Sequence, residues 1–156
     1  MGVGLQMLLS AALAALWGGD GRGGGADAAR LRLRLPMVRM MEVTGYCSCA
    51  RCCGWELSWH GFGAPVFSSG RLRGRRKEVG VTASGGRARA GTVAADTSVL
   101  PFGTRVFVPG FGWGRVEDRG GAVSGARLDL WFDDHEKARR WGRRRLPVLA
   151  WPPAAR

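Results

Sequence analysis

The chain has 156 residues, 46% hydrophobic and 23% charged, with a formal charge of +12, which is enough for one domain with a real core and too little for two. Seven Trp and six Phe need burial, which argues against disorder throughout, and 26 Gly demand many turns, which disfavours a helical bundle and favours a turn-rich β fold. No stretch reaches the roughly 18 apolar residues of a membrane span.

Leu5 to Trp17 (LQMLLSAALAALW) is an apolar block with the length of a signal-peptide core, although no Lys or Arg precedes it. Export is the expectation, with a mis-assigned start codon as the bland alternative. Gly18 to Ala29 (GGDGRGGGADAA) reads as a flexible linker. Residues 1–36 are thus set apart from a folded domain over 37–151, and 152–156 form a tail.

Met37 to Tyr46 predicts a first strand, followed by a cysteine-rich loop from Cys47 to Cys53. Trp55 to Gly80 is rich in Gly, Ser and Arg and reads as a long surface excursion. Short strands are predicted over Thr92–Ala95, Thr104–Val108, Gly114–Glu117 and Arg127–Phe132. Asp133 or Asp134 can cap a short helix ending at Gly142, and Leu146–Trp151 supplies a last strand before Pro152 and Pro153. Short strands at close spacing with one late helix predict a small closed barrel.

Two basic runs stand out: Arg71, Arg73, Arg75, Arg76 and Lys77, then Arg139, Arg140, Arg143, Arg144 and Arg145. Nucleic-acid binding is one reading. Only two of the 24 cations are Lys, however, and no nucleic-acid motif accompanies them, so a solvated basic surface is favoured and nucleic acid is not an expected partner. A different polyanion, the carboxylate-rich bacterial wall, also fits the charge.

Cys47, Cys49, Cys52 and Cys53 fall within seven residues (CSCARCC). Zinc is the sharp reading, because thiolates chelate it strongly, and His60 could join two or three of them if a loop folds back. Structural sites usually draw paired ligands from two separate places, and adjacent Cys52 and Cys53 would strain a tetrahedron. In an exported protein one or two disulfides are favoured, and four cysteines allow three full pairings. Neither a metal nor another cofactor is expected.

Three acidic residues occupy distinctive settings. Asp96 ends an apolar strand in GTVAAD, Asp118 lies between a strand and a Gly-rich loop in RVEDRGGAVSG, and Asp129 lies inside an apolar strand in ARLDLWF. Strand alternation puts Asp129 on the face opposite Leu128 and Leu130. Each has an ordinary explanation: a turn cap, an Asx-turn, a solvent-facing strand residue. Three together at strand ends and loops of a small barrel point to a shared cleft.

Taken in order, VTASG (Val81–Gly85), GTVAAD (Gly91–Asp96), LPFGTRVFVPGFG (Leu100–Gly112), VEDRGGAVSGARLDLWF (Val116–Phe132) and HEKARRWGRR (His135–Arg144) resemble the 3D domain. That domain is named for three aspartates and occurs in MltA-type lytic transglycosylases and related Gram-positive cell-wall proteins. TGYCSCARCCG (Thr44–Gly54) resembles its Cys-bearing subgroup. The resemblance implies a mainly β fold, a six-stranded double-psi β-barrel with one short helix and long loops. It implies cleavage of the MurNAc–GlcNAc β-1,4 bond of peptidoglycan, without water. By its pattern Asp129 matches the catalytic aspartate, and Asp118 and Asp96 match the two that shape its environment. Thr82, Ser84, Gly120 and Gly121, in the same motifs, are the expected substrate contacts. The expected partner is the peptidoglycan glycan strand, for a monomer at the cell envelope (periplasm, outer membrane or cell wall), with peripheral association to wall or membrane. Barrels of this architecture also serve as non-catalytic wall-binding modules, as in expansin-like proteins, which is the competing expectation. Trp113 and Trp131 could stack on sugar rings in either case.

Overall fold

A computed structural model describes residues 35–60 and 62–154. The apolar block and the Gly-rich linker lie outside the described residues.

Six strands close into a barrel: β1 (Met37–Tyr46), β4 (Thr92–Ala95), β5 (Arg105–Val108), β6 (Gly112–Asp118), β7 (Arg127–Trp131) and β8 (Arg144–Trp151), in the order β1-β7-β4-β6-β5-β8. The pairs β1–β7 and β4–β6 are parallel; the other neighbours are antiparallel. The expected small six-stranded barrel is therefore present. Its strands read as alternating patterns because one face fills the barrel and the other is partly wet. In β7, Leu128 and Leu130 are buried while Arg127, Asp129 and Trp131 are only partly so. Val43, Val93, Val106, Val116 and Val148 join the two leucines at 0–1% exposure, and β-branched side chains suit such a packed pleat.

β8 begins two residues before the predicted Leu146, because Arg144 and Arg145 pair with Val43 and Glu42 through their backbones. Side-chain polarity hid this, since ladder hydrogen bonds do not depend on it. The 55–80 excursion is not featureless either. It contains a two-stranded sheet, β2 (Trp55–Leu57) with β3 (Pro65–Phe67), apart from the barrel. Three-residue strands carry too little pattern to be recognised from sequence. A one-turn helix, α1 (Ala50–Cys53), adds to the single helix that was expected.

The expected helix is α2 (His135–Trp141). Asp134 caps it by accepting from Lys137 N at 3.0 Å, and Gly142, at φ +66°, ends it. The helix packs on β1 at Gly45. A Cβ there would lie 2.9 Å from Phe132 Cε2 and 3.0 Å from the Ala138 carbonyl oxygen. Phe132 is wedged between Phe111 and Trp141, so it has little room to yield. Gly45→Ala is expected to destabilise the domain by about 1–3 kcal/mol, the usual cost of overpacking, read as a lower urea midpoint with an unchanged slope.

Candidate active site

The outward face of the barrel carries one polar row. Thr44 on β1 is the register partner of Asp129 on β7, Asp129 of Ala94 on β4, and Ala94 of Asp118 on β6. The small side chain of Ala94 thus lies between two aspartates. Each strand spacing is about 4.8 Å, so the two aspartate Cα atoms stand roughly 10 Å apart.

Asp118 reaches this row through a bulge. The β4–β6 register passes from Val93↔Val116 to Ala94↔Asp118, and Glu117 is the extra residue. With strict alternation after the buried Val116, Asp118 would point into the barrel; the bulge turns it out. Glu117 is left to accept from Thr92 Oγ1 at 3.1 Å and to pair with Arg89 at 2.9 Å.

Asp129, Ala94 and Asp118 line a cleft of about 230 Å³. Tyr46, Ser48, Cys52, Cys53, Lys77, Arg119, Gly120 and Gly121 line it with them. Asp129 accepts a hydrogen bond from Thr44 Oγ1 at 2.9 Å. Burial pushes its carboxyl up to about 6; the Thr44 hydroxyl works against this, and the nearby Asp118 charge adds to it. Asp118 is held by three donors: Tyr46 Oη at 2.8 Å, Ala83 N at 2.9 Å and Arg119 N at 2.8 Å. Burial, and then the Asp118 charge, raises the Tyr46 phenol well above its ordinary range, so it remains a donor.

Asp96 does not join the cleft lining. It lies just beyond β4, where it accepts from Ser98 N and Oγ at 3.0 and 2.6 Å and from Gly125 N at 2.8 Å. These donors, the Ser98 hydroxyl foremost, lower its carboxyl. Asp96 therefore clamps the 120–125 loop to the end of β4, two residues from Ala94. Thr82 and Ser84 are also outside the lining. Their hydroxyls lie 3.1 Å apart, and the turn they build presents Ala83 N to Asp118. Of the expected substrate contacts, Gly120 and Gly121 line the cleft. Trp113 and Trp131 line a separate concavity with Phe111 and Phe132.

Thr44, Tyr46 and Lys77 were not singled out as site residues from sequence. Strand parity was the available signal for the first two, because Thr44 and Tyr46 alternate with buried Val43 just as Asp129 does with its leucines. Lys77 sat inside a run read as solvated. It is the half-buried member of that run, set over the Phe67 ring at 4.3 Å.

One or two disulfides were favoured among the cysteines, and in the competing zinc reading His60 was the residue that could join two or three of them. All four thiols are free, and His60 lies in the exposed turn between β2 and β3. It is His135, the first residue of α2, that meets them. Its Nδ1 lies 3.9, 3.4 and 3.5 Å from the sulfurs of Cys47, Cys49 and Cys52. Cys53 points elsewhere and donates to the Cys47 carbonyl at 3.1 Å. Burial pushes Cys47 up to about 12. At Cys49 burial is outweighed by the Cys52 amide and by hydrogen bonds with Cys47, Cys52 and His135, which bring it down to about 7.

This arrangement of strands β4 to β8 coincides with a family match, the 3D domain, over residues 91–151. Two Bacillus subtilis proteins share it in sequence. The cell wall shaping protein YabE is 34% identical over 59 residues, which is 38% of this chain and 14% of YabE. The cell wall-binding protein YocH is 34% identical over 73 residues, 44% of this chain and 25% of YocH. The chain thus spans a quarter or less of the curated relatives it matches. Among solved structures, two of MltA from Escherichia coli, described as having a lytic transglycosylase fold, align at 21% and 22% identity with TM-scores of 0.39 and 0.40. The alignments cover 46% and 47% of this chain and 27% and 28% of MltA. The matched segment supplies Asp118 and Asp129, while β1 and the cysteine loop, which precede it, supply Thr44 and Tyr46 and add Ser48, Cys52 and Cys53 to the cleft lining.

Proposed function

We propose that this protein acts on the peptidoglycan of the cell envelope, and that its 3D domain cleaves the MurNAc–GlcNAc β-1,4 bond as a lytic transglycosylase. The observation that carries this reading is the carboxyl of Asp129. It lies in a cleft, half-buried, and holds its proton to about pH 6. The family match and the cell-wall roles in the names of YabE and YocH support peptidoglycan as the polymer. A charge of +12 concentrates the protein on a carboxylate-rich wall.

One carboxyl suffices for this reaction. Asp129 gives its proton to the glycosidic oxygen as the MurNAc C1–O bond breaks, and positive charge develops at C1. The MurNAc C6 hydroxyl then bonds to C1, closing the 1,6-anhydro ring, and its proton passes to Asp129. Asp129 ends protonated, as it began, and no water is consumed. Glycosidases that use water need two carboxyls with separate roles. Here the second one, Asp118, has its oxygens taken up by Tyr46, Ala83 and Arg119, which suits an electrostatic role beside the developing cation.

Mass spectrometry of digested peptidoglycan tests the reading. The expected products carry 1,6-anhydro-MurNAc ends. Reducing ends would make the protein a hydrolase. Binding without products would place it among the wall-binding modules.

A further inference from the structure

We propose that Cys47, Cys49, Cys52 and His135 form a zinc site that ties the cysteine loop to the start of α2. The four donor atoms lie within 4.8 Å of one another. A tetrahedral Zn²⁺ with Zn–S bonds of about 2.3 Å and Zn–N of about 2.0 Å has S···S edges near ~3.8 Å and S···N edges near ~3.5 Å. The Cys47–Cys52 sulfurs are 3.7 Å apart, and the three sulfurs stand 3.4 to 3.9 Å from Nδ1. These are the edges of a ligand cage. They are too long for a sulfur–sulfur bond, which is about 2.05 Å. Hydrogen bonding alone accounts poorly for the cluster, because one imidazole nitrogen has either one proton or one lone pair to share with three sulfurs.

The two objections raised by the sequence both fall. The ligands do come from two separate places, the loop after β1 and the N-terminal end of α2, 83 residues beyond Cys52. Adjacent cysteines do not share the cage, because Cys53 turns away to the Cys47 carbonyl. Three soft thiolates and an imidazole select zinc over magnesium or calcium. All four positions are filled by protein, which makes the site structural.

The site has a place in the architecture. Ser48 lies between the ligands, takes a hydrogen bond from Trp131 Nε1 at 3.1 Å and lines the cleft, as do Cys52 and Cys53. Zinc would therefore fix part of the cleft lining that includes Asp129, although the site stands or falls independently of the reaction assigned to the cleft.

The test is elemental analysis of the full chain, purified reduced and exposed to Zn²⁺ alone, then desalted. One zinc per chain is expected. Cys53→Ser and His60→Ala should retain it, whereas Cys49→Ser and His135→Ala should lose more than nine-tenths of it. Cobalt substitution of the wild-type chain keeps the test independent of variant folding: tetrahedral d–d bands with thiolate charge transfer are expected. Chelation should lower Tm by more than about 5 °C and expose three further thiols to a labelling reagent. A reduced chain that takes up no zinc would overturn the assignment, as would full zinc in His135→Ala or zinc lost on Cys53→Ser.

Discussion

Asp129→Asn is expected to lower the release of anhydro-muropeptides by roughly 10²–10⁴-fold, the usual worth of positioned acid–base catalysis. The amide is nearly isosteric, and its oxygen can still accept from Thr44 Oγ1, so the cleft keeps its shape. What it loses is a proton to give and a place to receive one. Binding to intact wall is expected to survive, since the basic surface supplies it. The same variant has a stability signature of opposite sign. Folding raises the Asp129 carboxyl from its ordinary 3.8 to about 6. The stabilisation from this protonated form is fully present below about pH 4 and is lost as pH rises through 6, leaving at pH 8 a charge that costs about 3 kcal/mol to keep half-buried. Asp129→Asn should therefore be more stable than the wild type in urea at pH 8, with the gain vanishing at pH 4. A variant that releases products at the wild-type rate would remove Asp129 from the chemistry.

If Asp129 is the acid proposed, turnover is expected to fall on one side only as pH changes. The acid must be protonated at the start of each cycle, so the rate is flat below about pH 6 and drops tenfold per pH unit above it. Between pH 6 and 8 this is a loss of about 50-fold at saturating glycan. A two-carboxylate hydrolase would give a bell, with an acidic limb from its ionised partner. Rates of purified protein on soluble glycan fragments from pH 4 to 8 distinguish the two shapes. Fragments are preferable to sacculi, because the charge of the wall itself changes with pH and would alter adsorption of a cationic protein.

Much of the barrel was legible in the residues. β1 and β7 follow from alternation of buried and partly exposed positions, β4 from a short apolar run buried throughout, and the span of α2 from the Asp134 and Gly142 caps, signals that sit within a few residues of one another. Asp129 was legible for the same reason: a lone charge between Leu128 and Leu130 announces a strand face that is not core. What sequence alone could not decide depended on register and on distant partners. The bulge at Glu117, which swings Asp118 into the row with Ala94 and Asp129, is a property of the β4–β6 pairing and leaves no local mark. Asp96 read like the other two aspartates, yet its carboxylate is taken up by Ser98 and Gly125, because β4 ends before it and the 120–125 loop crosses there. For the cysteines, spacing alone favoured pairing among themselves. Packing of α2 on the strand that leads into them brings His135 to three of the four, and chain separation of more than 80 residues carries no trace of such a meeting until the barrel closes.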